Sequence, residues 1–180
     1  FAVPTANAGW SLDGEPSVVS FVSVKNGTIA EAHKFEELEG SVSDDGARLE
    51  VELAAVETFI PIRNDRMREF LFEITNFPKA VFETDLDASV LDELQPGQSE
   101  RITVEGTLRL HGDSAPVSGE LLVGRMELDQ VVVSTVKPIV ISADTFGLGD
   151  GINKLREIAG LNSITPMVPV SLSLVFVEQE

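Results

Sequence analysis

Between residues 102 and 111 apolar and polar side chains alternate. Ile102, Val104, Leu108 and Leu110 fall on one face of an extended chain, and Thr103, Glu105, Thr107 and Arg109 on the other. A period of two belongs to a strand with one buried and one wet face. The same alternation runs through residues 47–56 and 80–88, and further strands are predicted over 17–25, 28–35, 115–128, 131–143 and 168–177. Lys25-Asn26-Gly27, Asp44-Asp45-Gly46 and Gly112-Asp113-Ser114 supply turn chemistry where hairpins would reverse. Strands with one wet face pair antiparallel. At least eight of them joined by short turns suit a closed barrel or a sandwich, and closure removes exposed edges. Periodicity does not choose between the two.

One segment breaks the pattern. In residues 59–84, Met67, Phe70, Leu71 and Ile74 recur at i, i+3, i+4 and i+7, the spacing of a buried helical face, with Asn64 placed to cap the N-terminus. The prediction is one short basic helix that packs on, or plugs, the sheet. A second helix is predicted over residues 151–160, capped by Asp150, ended at Gly160 and burying Ile152, Leu155 and Ala159.

A length of 180 residues suits one domain with a real core. Thirteen Lys and Arg against thirty Asp and Glu give a formal charge of −17, which repels nucleic-acid backbones and anionic lipid surfaces alike. No apolar run approaches the length of a membrane-spanning helix. The lack of cysteine rules out disulfides, thiolate catalysis and zinc–thiolate sites. Residues 1–8 end in Ala6-Asn7-Ala8, the small-x-small pattern ahead of a signal-peptidase cut, so they read as a signal-peptide remnant or a flexible arm, and residues 9–180 as a single domain. The chain stops directly after a predicted strand, as one domain of a longer protein would.

Motifs for catalysis are missing. There is no Gly-x-Ser-x-Gly elbow and no phosphate-binding Gly-x-x-x-x-Gly-Lys loop. The glycine run Gly147-Leu148-Gly149-Asp150-Gly151 reads as a turn, because Asp150 would put a carboxylate where a phosphate must sit. His33 and His111 are the only histidines and do not have metal-ligand spacing, so neither a metal nor a required cofactor is expected.

The aromatic inventory does point somewhere: ten Phe, one Trp and no Tyr. Phenylalanine lines a space without a hydroxyl that needs a partner, which suits a tunnel for hydrocarbon as well as a filled core. The candidate lining is Phe21, Phe35, Phe82, Leu108, Leu110 and Phe176 on strands, with Met67, Phe70, Leu71, Phe72, Phe146 and Leu155 on covering segments. Arg63, Arg66 and Arg68 concentrate cations on an acidic chain; they would either pair locally with Asp65, Glu69 and Glu73 or hold an anionic or carbonyl head group.

The order Thr58, Arg63, Asn64, Arg66, Met67, Arg68, Leu71, Phe72, Phe77, Pro78, Phe82 resembles the signature of the YceI-like family of bacterial polyisoprenoid-binding proteins. That signature has Asp at the position of Asn64, His at Arg66, Leu at Met67, Phe at Leu71, and one more residue between Arg68 and Leu71. Trp10-x-Leu12-Asp13, Phe35-x-x-Leu38-x-Gly40 and Gly106-x-Leu108-x-Leu110-His111-Gly112 followed by Pro116-Val117 match further parts of the family in order. His111 then belongs to a family turn, while His33 stands where the family usually has Gly. The resemblance implies an all-β chain with one or two short helices, folded as a closed antiparallel lipocalin-like barrel of about eight strands. It also implies a non-enzymatic protein that binds an isoprenoid quinone such as ubiquinone, or a polyprenyl phosphate, in the periplasm or outside the cell, without stable membrane insertion and with a homodimer in view. Arg63 and Arg66 become the head-group candidates. The competing readings are a β-sandwich that binds protein or carbohydrate on its outer strands and, third, an enzyme acting on an isoprenoid.

Overall fold

In the computed structural model, which describes residues 9–179, the strands in chain order are β1 (Gly9–Lys25), β2 (Ile29–Phe35), β3 (Leu38–Ser43), β4 (Gly46–Glu52), β5 (Val56–Glu57), β6 (Lys79–Thr84), β7 (Ser99–Leu110), β8 (Asp113–Glu127), β9 (Gln130–Thr135), β10 (Ile139–Ser142) and β11 (Met167–Gln179). Short helices α1 (Pro61–Arg66), α2 (Ser89–Asp92) and α3 (Gly149–Ile158) connect them. Neighbouring strands are antiparallel, and the sheet closes where β11 pairs with β1, giving an eight-stranded barrel and not a sandwich. Residues 1–8, read above as a signal-peptide remnant or a flexible arm, lie outside the described residues.

Strand β1 divides the barrel into two ends. Near Trp10 it pairs with β3, and from Val19 to Lys25 it pairs with β2. A register shift between Asp13 and Val18 marks the change; the buried Ser17 hydroxyl holds it by donating to the Asp13 carbonyl at 2.6 Å and accepting the Val175 N–H at 2.9 Å. Such a bulge bends the strand and raises its twist. On β7 the expected alternation holds: Val104 is buried, Leu108 and Leu110 are partly buried, and Thr103, Glu105, Thr107 and Arg109 are exposed. Gly106 sits among the inner residues because a β-carbon there would lie 2.5 Å from Phe82 Cζ and 2.3 Å from the Glu83 carbonyl oxygen.

The end holding Trp10 is filled. Trp10, only 2% exposed, donates its indole N–H to Asp92 on α2 at 2.9 Å, and the Arg125 guanidinium lies over its ring at 5.1 Å. Arg125 is itself buried, and donates to the carbonyls of Leu91 (3.2 Å), Glu127 (3.3 Å) and Leu128. A buried cation is costly unless its N–H groups are used in this way. Leu91, Val123, Val131, Leu174 and Phe176 complete this plug.

Four expectations need correction. The strand expected over 47–56 ends at Glu52; a 3₁₀ turn over Leu53–Ala55 lets β5 cross to pair with β2. The strand expected over 80–88 ends at Thr84 and gives way to α2. That expected over 131–143 is split near Pro138, which has no N–H for a ladder. The hairpin placed at Gly112-Asp113-Ser114 turns instead on His111 and Gly112, whose φ values of 53° and 82° are those of a two-residue loop.

The helices differ from their predicted ends as well. α1 begins at Pro61 with Ile60 as N-cap, so Asn64 is inside the helix. α3 begins at Gly149 with Leu148 as N-cap, placing Asp150 in its first turn; Gly160, at φ 64°, lies just past its end. Ile152 and Leu155 pack against the core, whereas Ala159 is exposed. No helix among the described residues is long and apolar enough to cross a membrane.

Candidate functional site

Above the plug the barrel is hollow. A cavity of about 240 Å³ runs toward the end that α3 and the segment after α1 cover, and its walls are aliphatic or aromatic apart from the small residues Ser118 and Gly119. Val19, Val51 and Val104 line it together with an aromatic wall of Phe21, Phe35, Phe72 and Phe82 and an aliphatic side of Leu121, Val170 and Leu172. Phe35 stands between Phe21 (5.3 Å) and Phe72 (5.9 Å), so an edge of rings is presented to the space. This volume exceeds the roughly 150 Å³ of a dry apolar cavity that binds benzene, so on that scale it takes about ten carbons.

The local sequence explains how the cover reaches the cavity. After α1 the chain widens into a π-helical turn over Met67–Leu71, where the Phe72 N–H donates to the Met67 carbonyl at 2.9 Å. That extra residue per turn rotates Leu71 and Phe72 into the cavity while Met67 stays buried outside it. α3 then seats directly on the turn, because Gly151 allows approach: a β-carbon there would lie 2.6 Å from the Phe70 carbonyl oxygen.

Of the candidate tail contacts, Phe21, Phe35, Leu71, Phe72, Phe82, Leu108 and Leu110 line the cavity. Met67, Phe70, Phe146, Leu155 and Phe176 do not. Phe176 lies on the same face of β11 as Leu172 and Val170 but lower, inside the plug. Phe146 is buried in the 3₁₀ turn Ala143–Phe146, and Phe70 packs under the Lys154 ammonium at 5.8 Å. Leu49, Leu121, Val168, Val170 and Leu172 line the cavity without having been singled out. Alternation on β4, β8 and β11 carries that signal, in aliphatic and not aromatic residues.

A polar layer caps the aromatic wall. His33 packs edge-on against Phe21 at 5.3 Å, and its Nε2 is hydrogen-bonded to Ser23 Oγ at 3.1 Å. Glu31 receives Lys25 at 2.5 Å and Arg63 Nη1 at 2.9 Å, and Arg63 Nη2 donates to the Thr58 carbonyl at 2.7 Å. Two buried nitrogens of this layer, His33 Nδ1 and Arg63 Nε, have no hydrogen-bond partner. Burial, and next the positive charge of Arg63, hold the His33 pKa below its ordinary value, so the ring is neutral near pH 7. The Glu31 carboxyl is held low, chiefly by its hydrogen bond from Lys25.

Asn64 builds the corner that presents Arg63. Its Oδ1 accepts both the Thr58 N–H (2.9 Å) and the Thr58 hydroxyl (2.5 Å), and its amide donates to Glu57 at 3.1 Å. An Asn does what an Asp could not here, since only the amide offers a donor to the Glu57 carboxylate. Arg68 is tied to Asp65 (2.9 Å) and to the Ala54 carbonyl (2.6 Å), while Arg66 makes no ion pair among the described residues. His111 Nε2 is hydrogen-bonded to the Glu73 carboxylate at 2.6 Å, and its ring packs at a tilt on Phe77 at 4.6 Å, fixing a turn.

Comparison with known proteins agrees with this geometry. Residues 10–176 match the YceI-like domain. The fold superposes with a TM-score of 0.92 and 34% identity on a polyisoprenoid binding domain from Saccharophagus degradans implicated in plant cell wall breakdown, covering 94% of this chain and 98% of that one. Burkholderia cenocepacia BcnA gives 0.72 at 19% identity, with 91% and 98% covered. The Campylobacter jejuni YCEI protein gives 0.56 at 13%, with 82% and 84% covered. No curated protein matches the chain.

Proposed function

The chain belongs to the YceI-like family, and from that premise we propose that it binds an isoprenoid lipid by burying the tail in the barrel cavity, as a carrier or store and not as an enzyme. The observation that supports this reading is the cavity itself, a space inside the barrel whose side chains offer hydrocarbon contact and almost no polar partner. Each methylene moved from water into such surroundings contributes about 0.8 kcal/mol, before the costs of association are subtracted. The name of the Saccharophagus degradans domain points to the same ligand class.

The head group is proposed to be an isoprenoid quinone, ubiquinone among them, or a polyprenyl phosphate. Arg63 Nε and His33 Nδ1 support contact with an oxygen acceptor, because both are buried without a partner and the His33 ring packs on Phe21 of the aromatic wall. Arg63 is the stronger head-group candidate of the two arginines singled out, since Arg66 lies further along α1 and nothing in the polar layer engages it. With a neutral ring His33 can either donate or accept. We also propose that the protein works in the periplasm or outside the cell, and that a homodimer is its assembled form.

Organic extraction of the purified protein followed by mass spectrometry tests the central proposal. A stoichiometric isoprenoid lipid is expected. Recovery of no lipid, together with failure to take up added polyprenol, would overturn the reading.

A further inference from the structure

The barrel wall contains a seam. Along β11 the step from Ser173 to Val170 is 173 − 170 = 3 residues, while their partners Ser134 and Ile139 are 139 − 134 = 5 apart. Two extra residues are therefore looped out around Pro138. Below this bend β9 is laddered to β8 up to Leu121 and Thr135, with a last bond from the Val136 N–H to the Glu120 carbonyl. Above it β10 pairs only with β11, and β8 from Asp113 to Gly119 only with β7, among the described residues. Pro116 and Pro138 on the two facing segments lack the N–H that a ladder would need.

A side chain fills the seam where a hydrogen-bond ladder is missing. Ile139 lies across Gly119 so closely that a β-carbon on Gly119 would come within 2.5 Å of Ile139 Cδ1. Val117, Ser118, Gly119, Ile139 and Ile141 line the cavity from within and also a groove on the outer surface, so a single layer separates the two. Glu120 and Lys137 also line the groove; beside them Val140 is 56% exposed, and Val136, next to Lys137 in the chain, is 37% exposed. The opposite exit passes the polar layer of Lys25, Glu31, His33 and Arg63, where a hydrocarbon would strip water from charged groups without replacing it.

Ten carbons are two prenyl units, and a longer tail outgrows the cavity. We propose that the seam between β8 and β10 is a second binding segment for the distal part of a long hydrocarbon tail, which leaves the cavity between Gly119 and Ile139 and lies along Val136 and Val140. This rests on the lipid reading of the cavity. The prolines that keep β10 off β8 also disfavour an added strand at the same place.

The test uses the intact protein loaded with a long-chain polyprenol that carries a diazirine on its last isoprene unit. After irradiation, adducts are expected on Ser118, Val136 and Val140. Adducts on Leu148 and α3 would mean that the tail leaves by the covered mouth, which overturns the seam while leaving the cavity reading intact. Failure of the protein to take up any polyprenol overturns both. In parallel, Val140→Asp, on the outer surface, is expected to weaken the long-chain polyprenol about tenfold and to leave a short prenol that fits the cavity alone unchanged. Equal affinities for both ligands before and after the substitution would contradict the proposal.

Discussion

The two ends of this barrel are built from the same strands and share the same inward alternation, yet one is solid and the other hollow. At the solid end Trp10, Leu91, Val123, Val131 and Phe176 interdigitate, and the buried Arg125 uses three carbonyls to satisfy its guanidinium. At the hollow end Phe21, Phe35, Phe72 and Phe82 stand around an unfilled space, and His33 Nδ1 and Arg63 Nε are left without partners. A protein interior is normally packed to crystal density and its polar atoms are paired. Departure from both rules at one end only, with both rules kept at the other, is what a binding site costs in stability and what a plug repays.

The largest expected effect lies in the plug. Trp10→Ala removes an indole from a filled region and should destabilise the fold by about 3–5 kcal/mol, read from chemical denaturation. A loss below about 1 kcal/mol would mean that the solid end is looser than described.

The matching substitution at the hollow end should behave differently. Phe82→Trp in a filled core would cost about 1–3 kcal/mol by overpacking, whereas here the larger ring can grow into the cavity. The expected result is a nearly unchanged melting temperature with reduced lipid uptake. A large drop in the apo protein's melting temperature, with uptake preserved, would erase the contrast between the ends.

The inward face of the strands could be read in the sequence, but not the division of the barrel into a solid and a hollow end. Alternation on β7 correctly set Leu108 and Leu110 inward, and the i, i+3, i+4, i+7 spacing of Met67, Phe70, Leu71 and Ile74 located the covering segment, although its regular helix is α1 and the π-helical turn ends at Leu71. Periodicity says which face a residue takes and nothing about its height in the barrel; Phe176 and Leu172 share a face of β11, yet one belongs to the plug and the other to the cavity. The π-helical turn was hidden for a related reason, since one extra residue shifts which side chains point inward without changing the apolar pattern. α2 and Arg125 are not legible in the sequence because a four-residue helix carries no periodicity, and a buried arginine differs from a surface charge only through its carbonyl partners.

A smaller effect follows from His33. Its folded-state pKa lies below the ordinary 6.5, so between that lowered value and about pH 6.5 the unfolded chain holds a proton that the folded one does not. Stability from this group is complete above about pH 6.5 and is lost as pH falls through the window. The melting temperature of the native protein should drop more than that of His33→Gln when pH is lowered from about 7.5 to 5.5. Parallel decreases would show that His33 is not the titrating group of the polar layer.

The smallest effect is expected on the outer wall, which belongs to neither end. Arg109 pairs with Glu83 at 2.8 Å in an exposed ladder that also includes Arg48, Glu50 and Lys79. Arg109→Ala should change stability by less than about 1 kcal/mol and leave lipid uptake untouched. A larger loss would give the exterior charges a structural role that their exposure argues against.

The contrast between the ends is tested most directly by methyl NMR on the native protein titrated with a short prenol. Chemical-shift changes should concentrate on Val104, Leu108, Leu110, Leu121 and Leu172, which line the cavity, while Leu91, Val123, Val131 and Leu174 in the plug stay fixed. Shifts confined to exposed groups such as Ile62, Leu122 or Leu128, with the cavity methyls unmoved, would contradict the assignment of the hollow end as the lipid site.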